Sequence, residues 1–399
     1  MIKISFDKVM YYLIESGYAG YDPYDGASSE YEWINGRKLT RLLSTYLNKF
    51  FPVNLRSILK IPVTRQNQAL AFVGRALLYD YETYRSEISV ITDHLIAESL
   101  FDKYGYHCWD AHGFPIQMRS GYRAIGKTDI IGDEAVGRFF LELFEIVPDQ
   151  KYKDICIDIC RSFAERLLSG YREFVFFRYT PETPEHRWCY NASAIGAAYI
   201  TAVSHKFIEE VNRRSIEKAL QDVISRQKPD GEWWYSLDLE TGYEKQQIDF
   251  HQGFILDALL DYMQCTGIEE PYLDSYKKGL DFYFNKQFLP DGRGIYRYPK
   301  KYPVNIHNQA QGIVTFTRAA AAGFGDHYLD FAQTIAEWTI KNMQDPKGHF
   351  YYVKYPFFTN KIPYIRWSDA AMSFALAVYL RTRQAAKRNY RENFNIISK

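Results

Sequence analysis

The chain has 399 residues, 47% of them hydrophobic, and its 49 Lys and Arg face 48 Asp and Glu for a formal net charge of +1. That balance, with no basic block or arginine-rich arm, excludes nucleic acid as an expected partner, and no apolar run is long enough to span a bilayer. Five scattered cysteines (Cys108, Cys156, Cys160, Cys189, Cys265) lack paired spacing; they read as reduced core thiols, with neither a metal nor a cofactor expected.

The first residues, MIKISFDKVMYYLIESG, lack the basic start and the unbroken apolar stretch of a signal peptide, which predicts a cytoplasmic protein. Residues 5–16 read as a helix, part of an N-terminal extension over 1–36 that packs on the outside. Within it GYDPYDGASS, Gly20 to Ser29, is a Gly, Asp and Tyr loop without a phosphate-binding pattern.

Beyond the extension two kinds of helix alternate. One kind is amphipathic, with apolar residues at three and four: GRKLTRLLSTYLNKF, SEISVITDHLIAESLFDKY, YKDICIDICRSFAERLLSG, NRRSIEKALQDVISRQ, YLDSYKKGLDFYFNKQF and HYLDFAQTIAEWTIKNMQ. The other opens on polar residues and continues small or apolar: RQNQALAFVGRALL, KTDIIGDEAVGRFFLELF, CYNASAIGAAYITAV, IDFHQGFILDALL, IHNQAQGIVTFTRAA and RWSDAAMSFALAVYL. Asn67, Asp129, Asn191, His251, His307 and Trp367 mark the second kind at a period of about 60 residues. Six inner and six outer helices in alternation predict an all-α (α/α)6 toroid, a single domain over 1–399.

In such a ring the inner helices run the same way, so their six polar openings meet at one end of a central funnel, where unpaired N–H groups also point. The loops entering that end are long and aromatic, with turn signals and short alternating runs that predict hairpins walling a cleft. The Gly20–Ser29 loop is a candidate cover for the funnel mouth.

Asp249 and His251, in QQIDFHQGF, are the first candidates for catalysis, because buried polar groups need partners or a ligand. Asp is also a favoured helix cap. His307 repeats the position of His251 on the next inner helix, and Tyr190 precedes the third opening; these four are the catalytic candidates. Asn191, Asn308, Gln311, Arg366, Trp367 and Asp129 at the openings, with Trp109 and Trp234 in the loops, are the substrate-binding candidates, aromatic faces being suited to sugar rings. Arg366 has a competing reading as the partner of Asp369. QKPDGEWW, Gln227 to Trp234, is similar to the QW motif of triterpene-cyclase toroids, which implies that Gln and Trp staple outer helices together; QFLPDGRGIY and MQDPKGHFYY echo it.

With YDPYDGASS, FPVNLRSILKIP, HCWD, YNASAIGAA, DGEWWYS, IDFHQGFILDAL, HNQAQGI and PYIRW, the chain resembles a prokaryotic α/α-toroid family associated with surface-polysaccharide loci. More distantly the toroid is similar to six-hairpin glycosidases, toroidal polysaccharide lyases and the helical domain of glucuronyl C5-epimerases. DFHQGF is similar to the HDxGF stretch of unsaturated glucuronyl hydrolases, with the Asp displaced. The resemblance implies an oligo- or polysaccharide substrate, and a uronic-acid-containing one is the expectation. Two chemistries stay open: proton abstraction beside the uronate carboxylate (lyase or C5-epimerase type), and glycoside hydrolysis by a carboxylate pair. A non-catalytic glycan binder or scaffold is the alternative. An isoprenoid cyclase is the minor one, lacking its DxDD motif.

Overall fold

The computed structural model describes residues 1–119, 121–207 and 211–397. Thirteen longer helices organise them: α1 (Ile2–Glu15), α2 (Lys38–Phe50), α3 (Asn67–Leu77), α4 (Arg85–Ala97), α5 (Ile130–Ile146), α6 (Gln150–Ser162), α7 (Tyr190–Phe207), α8 (Arg213–Ser225), α9 (His251–Thr266), α10 (Tyr272–Lys286), α11 (Ile306–Ala321), α12 (Asp326–Met343) and α13 (Ala371–Ile397). The polar-first segments become α3, α5, α7, α9, α11 and α13, and each packs on the next until α13 returns to α3. The inner ring is closed.

Small residues permit these close inner contacts. A Cβ on Gly137 would lie 2.4 Å from the Tyr199 hydroxyl, and one on Gly253 would lie 2.6 Å from the Gln311 side chain. The helix starts are set by polar caps: Asp129 accepts from the Gly132 N–H at 2.8 Å, and Asn305 accepts from the His307 N–H at 3.0 Å.

One outer helix differs from expectation. The outer layer contains α4, α6, α8, α10 and α12 as read from the sequence, but the sixth member is α1, which packs on α12 and α13. The segment GRKLTRLLSTYLNKF, α2, instead lies on the Asp25–Ser28 turn and the Ile116–Met118 strand. A repeated staple shows why α1 belongs to the ring. Gln227, at the end of α8, donates to the Ser275 carbonyl of α10 at 2.9 Å and accepts from the Ser275 hydroxyl at 2.8 Å. Gln344, just after α12, makes the same pair with Ser5 of α1, at 3.1 Å to its carbonyl and 2.7 Å from its hydroxyl. After α8, α10 and α12 a turn glycine is pressed on the next outer helix: a Cβ would meet the Lys278 carbonyl at Gly231, the Thr334 carbonyl at Gly292 and the Lys8 carbonyl at Gly348.

The long loops form short antiparallel sheets on one end of the ring. Arg187–Cys189, Ser236–Asp238 and Glu244–Lys245 make one, with Trp188 opposite Leu237; Val304–Asn305, Tyr351–Lys354 and Thr359–Pro363 make another. Tyr21 bridges to Tyr364, which draws the chain between α1 and α3 over the same end. Cys108, Cys156, Cys189 and Cys265 are free thiols.

Candidate active site

Asp249 ends the loop that feeds α9 and is 1% exposed. Its Oδ1 accepts from the His251 backbone N–H at 3.1 Å and meets the His251 Nδ1, while Oδ2 accepts from Gln247 at 2.8 Å and faces the Arg297 guanidinium at 3.0 Å. The carboxylate is a cap and an orienting group at once. Burial pushes its pKa up, but His251 and Arg297 outweigh that, and the net displacement is downward. With Nδ1 engaged by a carboxylate, the free acid–base atom of His251 is Nε2.

An aromatic wall separates this histidine from the second one. Phe250 lies 4.3 Å from the His251 ring and 4.8 Å from the His307 ring; Phe254 lies 6.2 and 6.1 Å from the same pair. His307 stacks on Trp367 at 5.0 Å, and its Nδ1 is 3.3 Å from the Trp367 carbonyl. Burial, then the nearby Arg366 charge, lowers the His307 pKa to about 3. His307 is therefore a neutral imidazole at ordinary pH.

Arg366 is 7% exposed and pairs with Asp22 at 2.7 Å, not with Asp369. Asp369 instead accepts the Phe350 N–H at 2.6 Å, tying a loop to the inner ring. The Gly20–Ser29 loop thus reaches the funnel through Asp22. It also brings Tyr24 against Trp367 at 5.8 Å, and Lys49 of α2 donates to the Tyr24 hydroxyl at 2.6 Å. Burial and then Arg297 lower Lys49 to about 8, while burial raises Tyr24 to about 12.

Asn191, 3% exposed, accepts from Cys189 at 3.0 Å; behind it Tyr235 stands edge-on to His251 at 4.8 Å. Asp129 pairs with Arg123 at 2.5 Å and approaches His112 Nδ1 at 4.0 Å. His112, with no hydrogen bond on Nδ1, is held well below its usual pKa by burial, then by Arg366 and Arg123. Asp249, His251, His307, Arg366 and Trp367 form one contact network, and Asn191 and Asp129 flank it.

Five candidates lie elsewhere. Tyr190 is fully buried against Trp188, and its hydroxyl donates to Glu244, which Lys228 and Arg226 also hold at 2.7 and 3.3 Å. Burial and the Glu244 hydrogen bond raise its pKa, and its hydroxyl is held away from the two imidazoles by Glu244. Trp109 is fully buried; it donates from Nε1 to the Leu95 carbonyl at 2.6 Å and stacks on Phe140 at 6.3 Å. Trp233 makes the matching bond to Val223 at 3.0 Å, so Trp109 is a staple tryptophan rather than a sugar platform. Asn308 is wholly buried beneath Gly294, whose Cβ would lie 2.1 Å from its amide nitrogen. Gln311 points below the bowl, donating to Asp257 at 2.7 Å.

Gln311 lines a cavity of about 290 Å³ on the ring axis, from His307 down to Arg381. Most charges in that cavity are paired: Arg138 with Glu134 and Asp261 at 2.9 and 3.0 Å, Arg318 with Asp257 and Asp261, and Arg75 with Glu142 at 2.6 Å. Trp234 lies to the side, under the Lys228 ammonium at 4.2 Å, in a groove of about 750 Å³ shared with Tyr243, Lys245, Arg297, Lys300 and Tyr302. Among the described residues, the one group with metal-ligand proximity is His186, Asp238 and Glu240 on the surface sheet. Arg187, 3.8 Å from Asp238, competes with a cation there.

The sequence matches no family model and no curated protein. Solved structures do match by fold. Cellobiose 2-epimerase from Bacillus thermoamylovorans superposes with a TM-score of 0.65 at 13% identity, covering 81% of this chain and 90% of that one. An α-mannanase from Bacteroides thetaiotaomicron gives 0.60 at 12%, covering 82% and 88%. An unsaturated glucuronyl hydrolase specific for heparin gives 0.59 at 10%, covering 97% and 98%. These neighbours are of the six-hairpin-glycosidase-like toroid type, and the chain shares their fold.

Proposed function

We propose that the chain is a carbohydrate-active enzyme that removes a proton beside the carboxylate of a uronic-acid-containing oligo- or polysaccharide. The observation that carries this reading is the state of the bowl's acid–base groups. Two imidazoles face one aromatic wall, while Asp249, Asp129 and Asp22 are each saturated by cations or N–H donors. A glycoside hydrolase needs one free acid and one free carboxylate across the bond. Proton abstraction needs a neutral base and donors for a growing oxyanion.

His307, kept neutral by burial and by Arg366, has an unprotonated ring nitrogen to take the C5 proton. The electron pair of that C–H bond passes into the carboxylate as an enediolate, beside the Arg366, Arg297 and Lys49 cations. His251, steered by Asp249, is suited to carry a proton on the other side of the sugar. Reprotonation of C5 on the opposite face gives epimerisation; loss of the C4 substituent, assisted by a proton, gives elimination. The cation-rich rim favours an acidic substrate, and the exposed aromatic groove around Trp234 suits a chain longer than one sugar.

Incubation with uronate oligosaccharides in deuterated water tests this. Deuterium at C5, or an unsaturated uronate, is expected, and both His307→Ala and His251→Ala should remove it. Uptake of the sugar without any exchange or cleavage would leave a glycan binder, and cleavage with neither exchange nor an unsaturated product would leave a hydrolase.

A further inference from the structure

Helix α2 is inverted. Its buried positions are polar (Ser44, Thr45 and Asn48), with Thr45 pressed so closely on Gly26 that a Cβ there would lie 2.4 Å from the Thr45 Cα. Its outer stripe is apolar: Leu39, Leu43, Leu47 and Phe50 fall at helical spacing on one face. With Trp33 before the helix and Ile58 after it, these side chains are each between 44% and 70% exposed. Single exposed leucines need no explanation, but a contiguous apolar face does.

The charge on this face is one-sided. No Asp or Glu occurs from residue 33 through residue 79, nor from 111 through 128. Arg37, Lys38 and Lys60 are exposed beside the apolar stripe. The second acid-free segment is the hairpin Ile116–Met118 and Gly121–Arg123, which packs on α2. It adds exposed Arg119, and Tyr122, which lies under the Arg41 guanidinium at 4.6 Å.

We propose that this face docks in the plane of an anionic lipid bilayer, with the α2 stripe at the acyl boundary and the cations among the headgroups. Leu, Phe and Trp beside Arg and Lys on a short amphipathic helix are the composition that lies in an interface rather than crossing it; no helix among the described residues is long and apolar enough to cross. A second copy of the chain is disfavoured, because exposed Arg37, Lys38, Lys60 and Arg119 outnumber the nearby acids Glu30 and Glu32, so two such faces would bring like charges together. The neighbouring Lys49 reaches Tyr24 and the bowl, so the bilayer lies beside the site. The proposal stands on its own, whatever reaction the bowl performs.

Co-sedimentation of the full chain with phosphatidylcholine vesicles, with and without phosphatidylglycerol, tests it. Binding is expected only with the anionic lipid and weakens as salt rises. The double substitution Leu43→Gln, Leu47→Gln should lower partitioning by at least about tenfold while leaving thermal unfolding unchanged. Arg37→Glu with Lys38→Glu, at exposed positions, provides a second variant with the same expected loss. Absence of binding, or equal binding to neutral vesicles, overturns the proposal. So does a wild-type dimer in light scattering that the leucine substitutions convert to a monomer, since the face is then a protein interface.

Discussion

Acidification of wild-type protein and of His307→Gln probes the neutral imidazole directly. His307 sits at about 3 in the fold, because of burial and then Arg366, against about 6.5 for a free imidazole. A folded value below the unfolded one means that the unfolded chain binds the proton first. The stability held by this group is therefore complete above about pH 6.5 and is lost as pH falls towards 3. Each pKa unit corresponds to about 1.4 kcal/mol, so lowering pH from about 7.5 to about 4.5 removes about 2 to 3 kcal/mol. At about pH 4.5 that loss is nearly the same for any folded pKa between about 2 and 4, which makes it insensitive to the depth of the shift. Urea denaturation at both pH values gives the loss for each protein. The His307→Gln variant should lose about 2 to 3 kcal/mol less than wild type; equal losses would mean that His307 is not held neutral.

The remaining predictions concern the groups around it. Asp249→Asn should cut C5 exchange by about 10² to 10⁴, the scale seen when a carboxylate orienting a catalytic imidazole is neutralised, and stability by about 1 to 3 kcal/mol. Retained exchange with only the stability loss would make Asp249 a mere cap. Gln344→Ala should cost about 1 to 2 kcal/mol in denaturation and speed proteolysis within residues 1–16 without changing turnover, because it removes the α1 staple far from the bowl. Trp109→Ala should cost about 3 to 5 kcal/mol as a core truncation, while Trp234→Ala, at the half-buried groove, should cost less stability and raise KM for longer substrates. A reversal of that order would restore Trp109 as the sugar platform.

The inner ring was legible because its chemistry repeats: a polar opening, then small residues, at a nearly constant period. Which amphipathic helix completes the outer ring was not, because periodicity reports that a helix has two faces and not which of them turns inward. In α2 the apolar face turns out, and Ser44, Thr45 and Asn48 turn in; the cue for α1 was the Gln344 echo of Gln227, read across the chain to Ser5. Trp109 was misplaced because an aromatic after an outer helix marks a staple as readily as a platform. The alignment of Trp109 with Trp233, one N–H donor after each outer helix, separates the two. Asp249, His251 and His307 stood out because polar groups opening buried helices need partners. Tyr24, Lys49, His112, Tyr235 and Arg297 carried no such signal, since loops far apart in the chain bring them to the bowl.

Crystals soaked with a uronic-acid oligosaccharide give the most direct measurement. Proton abstraction by the histidine pair requires electron density for one uronate in the bowl, with its C5 within reach of a His251 or His307 nitrogen and its carboxylate toward Arg366. A sugar seated in the axial cavity or confined to the outer groove, with both imidazoles untouched, would contradict it.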